Sequence, residues 1–344
     1  MRAEGKIRAA STLGMALLSW VSSGSLAQEP KQPSPAQTAV RIQSSLVLMD
    51  VISQDPKNGL PVRDFQKADF RVFDEEKEVS IASFEAGAGH NTRPVILWLA
   101  VICNEGGKVG GSAEFVGKEG HFRTALDHLE EHDSVGVAHW CDNGETRLDL
   151  VPTEDRDRPI RVLAETIKPA SFHTGGDSDA VGEVTYRKML RLIIQDAHRR
   201  NPPPLPVIVF LDGDHTGQPR SELDPVVDDI LETSGIVFGI KDEKAPRCCG
   251  LLIGEQAQIS HYVANRTGGE YFSSSAEDYA AALERILMQL HFRYELGFVP
   301  PVIDGKRHKL KVELTKEARE KHKGVRLRVR REYIPVREEP AWAH

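Results

Sequence analysis

The chain changes its hydrophobic period twice. From Ser44 to Ser53 the run SSLVLMDVIS is apolar and β-branched, and the Asp55-Pro-Lys-Asn-Gly59 that follows is a cluster of turn formers. Phe70 to Asp74 and Glu78 to Phe84 alternate apolar with polar residues across Glu75-Glu76-Lys77, which predicts half-buried strands joined by a short turn. Strict alternation returns near the other end, in Tyr294 to Val299, Lys309 to Leu314 and Val325 to Arg331. The two ends are therefore expected to build one β-rich module together. In its last strand Val325, Leu327 and Val329 should face inward and Arg326, Arg328 and Arg330 toward solvent.

Between these ends the pattern is different. Val95 to Ile102 is a continuous apolar run, as in a strand buried on both faces of a parallel sheet. Ser134 to Trp140, Leu205 to Leu211 and Gly235 to Ile240 repeat it, and helical periodicity fills Phe122 to His132, Val181 to Arg200, Leu223 to Thr233, Glu255 to Arg266 and Asp278 to Phe292. This alternation predicts an α/β fold with a doubly wound, mostly parallel sheet. Ligands of such sheets bind at the carboxyl ends of the strands where the strand order reverses, so the loops after Ile102, Trp140 and Leu211 are the places to search.

The N-terminus adds a destination. Arg2, Lys6 and Arg8 precede a short apolar stretch from Ala9 to Val21, which closes on Ser25-Leu26-Ala27. These are the parts of a cleavable secretion signal, with the cut after Ala27. A membrane-spanning helix needs roughly 20 predominantly apolar residues, and Ser11, Thr12, Gly14, Ser19, Ser22 and Ser23 break this one. The proline-rich stretch 28–39 reads as a linker. The protein is thus expected to be exported, periplasmic or secreted, with no transmembrane segment in the mature chain. A net charge of -7 argues against a nucleic-acid partner, and the basic stretch from Lys306 to Arg331 reads as a solvated strand face rather than a polyanion stripe.

The candidate chemistry lies after Leu211, in Asp212-Gly-Asp-His-Thr-Gly217. Two carboxylates two residues apart at a strand end can hold a hard cation or orient water. Asp212-x-Asp214-x-Thr216 also fits the motif of haloacid dehalogenase-like phosphatases, in which the first Asp is a nucleophile and the second a general acid. That family carries the motif on its first strand and needs a later Lys and acidic pair, whereas here it follows a middle strand and no Gly-Asp-x-x-x-Asp comes after it. No Ser-His-Asp set or Gly-rich phosphate loop stands out, and His139 and His173 read as ordinary sheet-end and loop residues.

The order of the elements resembles a known family. The buried strand near Val95, the Gly175-Gly176 loop, Phe210-Leu-Asp212-Gly and Arg266-Thr-Gly-Gly-Glu-Tyr-Phe272 are similar to a von Willebrand factor A domain. The flanks Leu48-Met-Asp-Val-Ile52, Asp69-Phe-Arg-Val-Phe73, Ile81-Ala-Ser-Phe84, His291-Phe-Arg-Tyr-Glu-Leu-Gly-Phe-Val-Pro300 and Val329-Arg-Arg-Glu-Tyr333 resemble exported von Willebrand factor A-related proteins of the acidobacterial type. The resemblance spans about residues 40–335. It implies a signal peptide at 1–27, a linker at 28–39, a β-rich module at 40–88, a von Willebrand factor A-like domain at 92–291, a β segment at 292–335 pairing with the first module, and a tail at 336–344.

In that family a metal-ion-dependent adhesion site draws an Asp-x-Ser-x-Ser from the first loop, a Thr from the Gly-Gly loop and an Asp from the loop after the fourth strand. Asp212 matches the third loop, and Asp177 stands where the Thr would be. The first loop departs completely: Val95 to Gly111 contains no Asp, Ser or Thr, and only Asn104 and Glu105 offer side-chain oxygens. No cofactor is therefore expected. Mg2+ on Asp177 and Asp212 is the alternative, and solvated loop carboxylates are the plain reading of Asp177, Asp179 and Asp214.

In this fold the strands ending at Cys103 and Cys141 are neighbours, and export permits disulfides. Neighbouring strands lie about 4.8 Å apart, within the span a disulfide tolerates, so a Cys103–Cys141 bridge is expected where the first metal loop would be. Cys248-Cys249 stay open between a free pair, an intermolecular contact and a labile redox site, with zinc through His215 or His261 a weaker alternative.

The resemblance implies a non-enzymatic extracytoplasmic binding protein, partnered by a protein or cell-envelope component. Its candidate binding residues are Asn104, Glu105, Asp177, Asp212 and Asp214. The alternatives are a Mg-dependent phosphatase-like hydrolase using Asp212 and Asp214, and a purely structural envelope module.

Overall fold

The computed structural model describes residues 46–86, 93–103, 119–141, 146–166, 178–200, 203–211, 217–242, 256–274 and 279–335. The chain begins with four strands, β1 (Val47–Gln54), β2 (Phe70–Asp74), β3 (Lys77–Val79) and β4 (Ile81–Glu85). It then enters β5 (Val95–Cys103), α1 (Glu119–Leu126), β6 (Ser134–Cys141), β7 (Thr146–Thr153), α2 (Asp157–Thr166) and α3 (Ser178–His198). Next come β8 (Leu205–Leu211), β9 (Gly217–Pro219), α4 (Arg220–Glu232), β10 (Ile236–Asp242), β11 (Gln256–Gln258), α5 (Ile259–Thr267), β12 (Tyr271–Ser274) and α6 (Tyr279–His291). The last elements are β13 (Tyr294–Phe298), β14 (His308–Leu314), α7 (Lys316–Lys321), β15 (Arg326–Arg328) and β16 (Glu332–Tyr333). No helix of the described residues is long and apolar enough to cross a membrane.

The central sheet runs β12-β10-β8-β5-β6-β7, parallel throughout except for β7 at one edge. Its continuous apolar strands are buried on both faces, and their period of two sorts the side chains between two cores. Val95, Leu97, Leu99 and Val101 of β5 pack with Phe122 of α1, Leu163 of α2 and Leu283 and Ile286 of α6. Ile96, Trp98 and Ala100 pack with Ile193 of α3, Val227 of α4 and Val263 of α5. Helices thus cover both faces, which makes the sheet doubly wound, as the alternation of elements predicts.

Strands from the two ends of the chain pair in two antiparallel sheets, β15-β1-β13-β4 and β16-β14-β2-β3. Met49 lies opposite Leu296, and Val72 opposite Val312. Apolar faces of the two sheets meet in a third core containing Phe65, Phe70, Tyr294, Phe298, Leu310 and Tyr333. Tyr294 is anchored at its polar end: its hydroxyl donates to the Val62 carbonyl at 2.8 Å and accepts from the Phe65 amide at 3.1 Å, and burial pushes its pKa up to about 12.

Three sequence expectations shift. The helix expected over Phe122 to His132 ends at Leu126, because the amides of Asp127, His128 and Leu129 turn to carbonyls three residues back. The helix expected from Glu255 begins at Ile259, since Gln256–Gln258 pairs with β9 instead. The last alternating strand stops at Arg328, and Arg330 points inward with 5% exposure, not to solvent. Its guanidinium donates to the carbonyls of Leu48 at 2.5 Å and Leu231 at 3.3 Å, so two carbonyl oxygens draw it out of the alternating register.

A buried ionic cluster joins the two kinds of sheet. Asp50 on β1 accepts from Arg293 Nε at 2.7 Å and from Arg93 Nη2 at 2.5 Å. Arg293 follows α6 and also donates to the carbonyls of Leu290 and Arg93. Arg93 Nε lies 3.0 Å from Glu295 Oε2 on β13. The segment entering β5 is also held by Asp133, which accepts from the Val95 amide at 2.6 Å and from the Glu130 amide at 2.9 Å.

Candidate functional site

The order of the central sheet places its topological switch between β5 and β8. After β5 the chain builds outward through β6 and β7 on one side, then returns to build β8, β10 and β12 on the other. Val101 stands opposite Leu211 in the parallel register, so the chains leading to residue 104 and to residue 212 leave from adjacent strand ends. On its other side β5 aligns Ile102 with Trp140 and Cys103 with Cys141. The carboxyl edge of the sheet therefore gathers the three loop origins singled out in the sequence. In doubly wound sheets this divergence of neighbouring strands opens the crevice in which ligands bind.

A small ribbon lies along the same route. β9 and β11 pair antiparallel, with Gly217 opposite Gln258 and Gln218 opposite Ala257. The chain emerging after Thr216 thus meets the chain emerging after Glu255. Asn104, Glu105, Asp177, Asp212 and Asp214 lie outside the described residues, as do His173, His215, Cys248 and Cys249. The backbones of Cys103 and Cys141 are described, and their side chains are not.

One described polar group sits near this edge. His139 on β6 is buried, and its Nδ1 lies 2.7 Å from Asp149 Oδ2 on β7. Arg147 donates to the other Asp149 oxygen at 2.8 Å. The carboxylate fixes the orientation of the imidazole, and the arginine fixes the carboxylate. The sequence reading treats His139 as an ordinary sheet-end residue and misses Asp149 altogether, because β7 itself is not anticipated. The available signal was Thr146-Arg-Leu-Asp-Leu150, which alternates at the period of a strand.

Among the described residues no group of three or more His, Cys, Asp or Glu side chains is arranged to hold a metal ion. The Arg266–Phe272 motif is described, and its described contacts are those of packing. Thr267 Oγ1 donates to the Val263 carbonyl at 2.9 Å and accepts from the Val237 amide at 3.0 Å, which clamps the end of α5 onto β10. Arg266 donates to Glu332 at 2.9 Å through Nε, tying the same helix to β16.

No protein-family profile and no curated protein matches this sequence. Several solved structures are similar to it at low identity. An aerotolerance-related membrane protein from Bacteroides fragilis aligns over 56% of this chain and 98% of its own, at 12% identity and a TM-score of 0.39. The conserved hypothetical protein BatB from Bacteroides thetaiotaomicron aligns over 57% and 97%, at 13% identity and a TM-score of 0.38. A von Willebrand factor type A structure from Catenulispora acidiphila aligns over 80% of this chain and 76% of its own, at 10% identity and a TM-score of 0.39.

Proposed function

We propose that this chain is a non-enzymatic, extracytoplasmic interaction protein that recognises a protein or cell-envelope component through the strand-end loops of a von Willebrand factor A-like domain. The observation that carries the reading is the switch point: β5 and β8 are neighbours with Val101 opposite Leu211, so the loops bearing Asn104, Glu105, Asp212 and Asp214 originate side by side. A hydrolase built on Asp212 and Asp214 is disfavoured by placement, since β8 is the fourth strand of the central sheet in chain order rather than its first.

Recognition proceeds without a metal. A near-octahedral Mg2+ shell needs several oxygens from the first loop, and none of the required Asp and Ser residues is present between Val95 and Gly111. In their place we propose the Cys103–Cys141 bridge. Its support is the parallel register, which sets these two residues opposite each other on paired strands. Mass spectrometry of the unreduced protein should yield the linked Cys103–Cys141 peptide; a Cys103 that alkylates fully without reductant would remove the bridge from the reading.

The recognition surface is tested by crosslinking the purified chain to envelope fractions. The wild type should capture a discrete partner, and Asp212→Ala combined with Glu105→Ala should lose it while keeping the wild-type circular dichroism and melting temperature. Capture that survives these substitutions would move the interface elsewhere. Phosphatase activity that disappears in Asp212→Asn would replace the binding function with an enzymatic one, and tight calorimetric binding of Mg2+ or Mn2+ would end the metal-independent reading.

A further inference from the structure

A cavity of about 470 Å³ lies at the other pole of the central sheet, away from the strand-end loops. The start of β1, the entry to β5, the ends of α3 and α4 and the first residues before β8 enclose it. This volume falls in the range of small-molecule sites, about 300–1,000 Å³. Its lining includes the apolar Val47, Pro94, Pro204, Leu231 and Ile334. It also includes the charged Arg93, Glu232, Glu295 and Arg330.

Arg330 is the unusual member. Among the described residues two of its five N–H donors have carbonyl partners, those of Leu48 and Leu231, and its Nε has none. No carboxylate among the described residues forms an ion pair with it. Asp50 holds Arg93 and Arg293, Glu295 lies against Arg93, and Glu232 borders the cavity without pairing with Arg330. Arg93, Arg293 and Arg330 thus outnumber Asp50 and Glu295, the two carboxylates that stand among them. The carbonyl end of α4 offsets part of the excess, but a helix terminus supplies only about half a charge. Burial pushes the Arg330 guanidinium down to about 10, a sign that this charge is costly where it stands.

We propose that this cavity binds a small aliphatic carboxylate, with its headgroup against the Arg330 guanidinium and its chain along Val47, Leu231 and Ile334. The anion supplies the missing counter-charge, and the apolar wall selects an aliphatic body over a bare inorganic ion.

The test uses the full chain and octanoate as the probe, followed by titration calorimetry and thermal melting. Octanoate should bind one to one and raise the melting temperature, and octyltrimethylammonium, with the same tail and the opposite charge, should not compete. Arg330→Gln should weaken octanoate by about tenfold or more, the effect of losing a charge-assisted hydrogen bond. Absence of saturable octanoate binding to the wild type, equal competition by the cation, or undiminished affinity in a folded Arg330→Gln would each overturn the assignment. Should Arg330→Gln not fold, Pro203→Trp supplies the same decision, since Pro203 is exposed and borders the cavity. Its tryptophan should block octanoate without lowering the melting temperature, and unchanged octanoate binding in that variant would overturn the site.

Discussion

Asp50→Ala should destabilise the fold by about 3–5 kcal/mol, the cost of leaving a buried ion pair with one partner missing. Asp50 sits between Met49 and Val51, both fully buried, and only 2% of its own side chain is exposed. Its carboxylate ties β1 to the segment entering β5 through Arg93 and to the exit of α6 through Arg293. Truncation leaves Arg293, only 2% exposed, without a carboxylate among the described residues, and leaves Arg93 with Glu295 alone. Adding Arg293→Met should cost less than the sum of the two single changes, with a coupling of about 0.5–3 kcal/mol, because the second substitution removes a charge that the first left unpaired. Urea unfolding followed by circular dichroism measures both. A loss below about 1 kcal/mol for Asp50→Ala would mean that the pair behaves as an exposed one.

The same carboxylate sets a pH dependence. Burial alone would raise its pKa, but Arg93 and Arg293 outweigh burial and hold it below the ordinary 3.8. A folded-state value below the unfolded one contributes stability that is fully present above the unfolded value and is lost as pH falls through the folded one. The gap between wild type and Asp50→Ala should therefore be constant between about pH 5 and 8 and close only under strongly acidic conditions.

Four strands of the central sheet, β5, β6, β8 and β10, were legible because they are continuous apolar runs, a signal that survives without knowledge of neighbours. β7 and α2 were not. β7 is an edge strand with two register shifts against β6, and its Val151 is 64% exposed, so burial does not enforce a clean alternation there. α2 carried a local cue instead of a periodic one: Asp155 Oδ1 accepts from the amides of Asp157 and Arg158 at 2.9 and 3.2 Å, an N-cap that precedes Pro159. The Asp50 cluster was out of reach for a different reason. Asp50 and Arg293 are 243 positions apart, and an acid inside an apolar strand reads as a solvent-facing residue until its partner is located. Of the candidate site, the sequence exposed the origins of the loops, since strand ends follow from the apolar runs, but not the Asp149 that holds His139.

Gly269→Ala should cost at least about 3 kcal/mol, at the upper end of what overpacking a core produces. A Cβ at this position would lie 1.8 Å from the Val237 carbonyl oxygen and 2.7 Å from its carbon. The obstacle is backbone, and β10 is held on both sides, by β8 and β12, so it cannot move aside. The preceding Gly268 has φ +90 and would bring a Cβ to 2.6 Å from the Arg330 amide nitrogen, so the pair of glycines lets the end of α5 pass between a central strand and the segment carrying Arg330. The Gly269 amide closes the helix on the Ala264 carbonyl at 3.0 Å, and the Gly239 amide of β10 bonds the Glu270 carbonyl at 3.0 Å. The Thr267-Gly268-Gly269 step that contributes to the family resemblance is therefore a packing device, and its substitution should appear in the unfolding free energy. A Gly269→Ala variant that unfolds like the wild type yet fails to capture the proposed partner would place this step in the recognition surface instead.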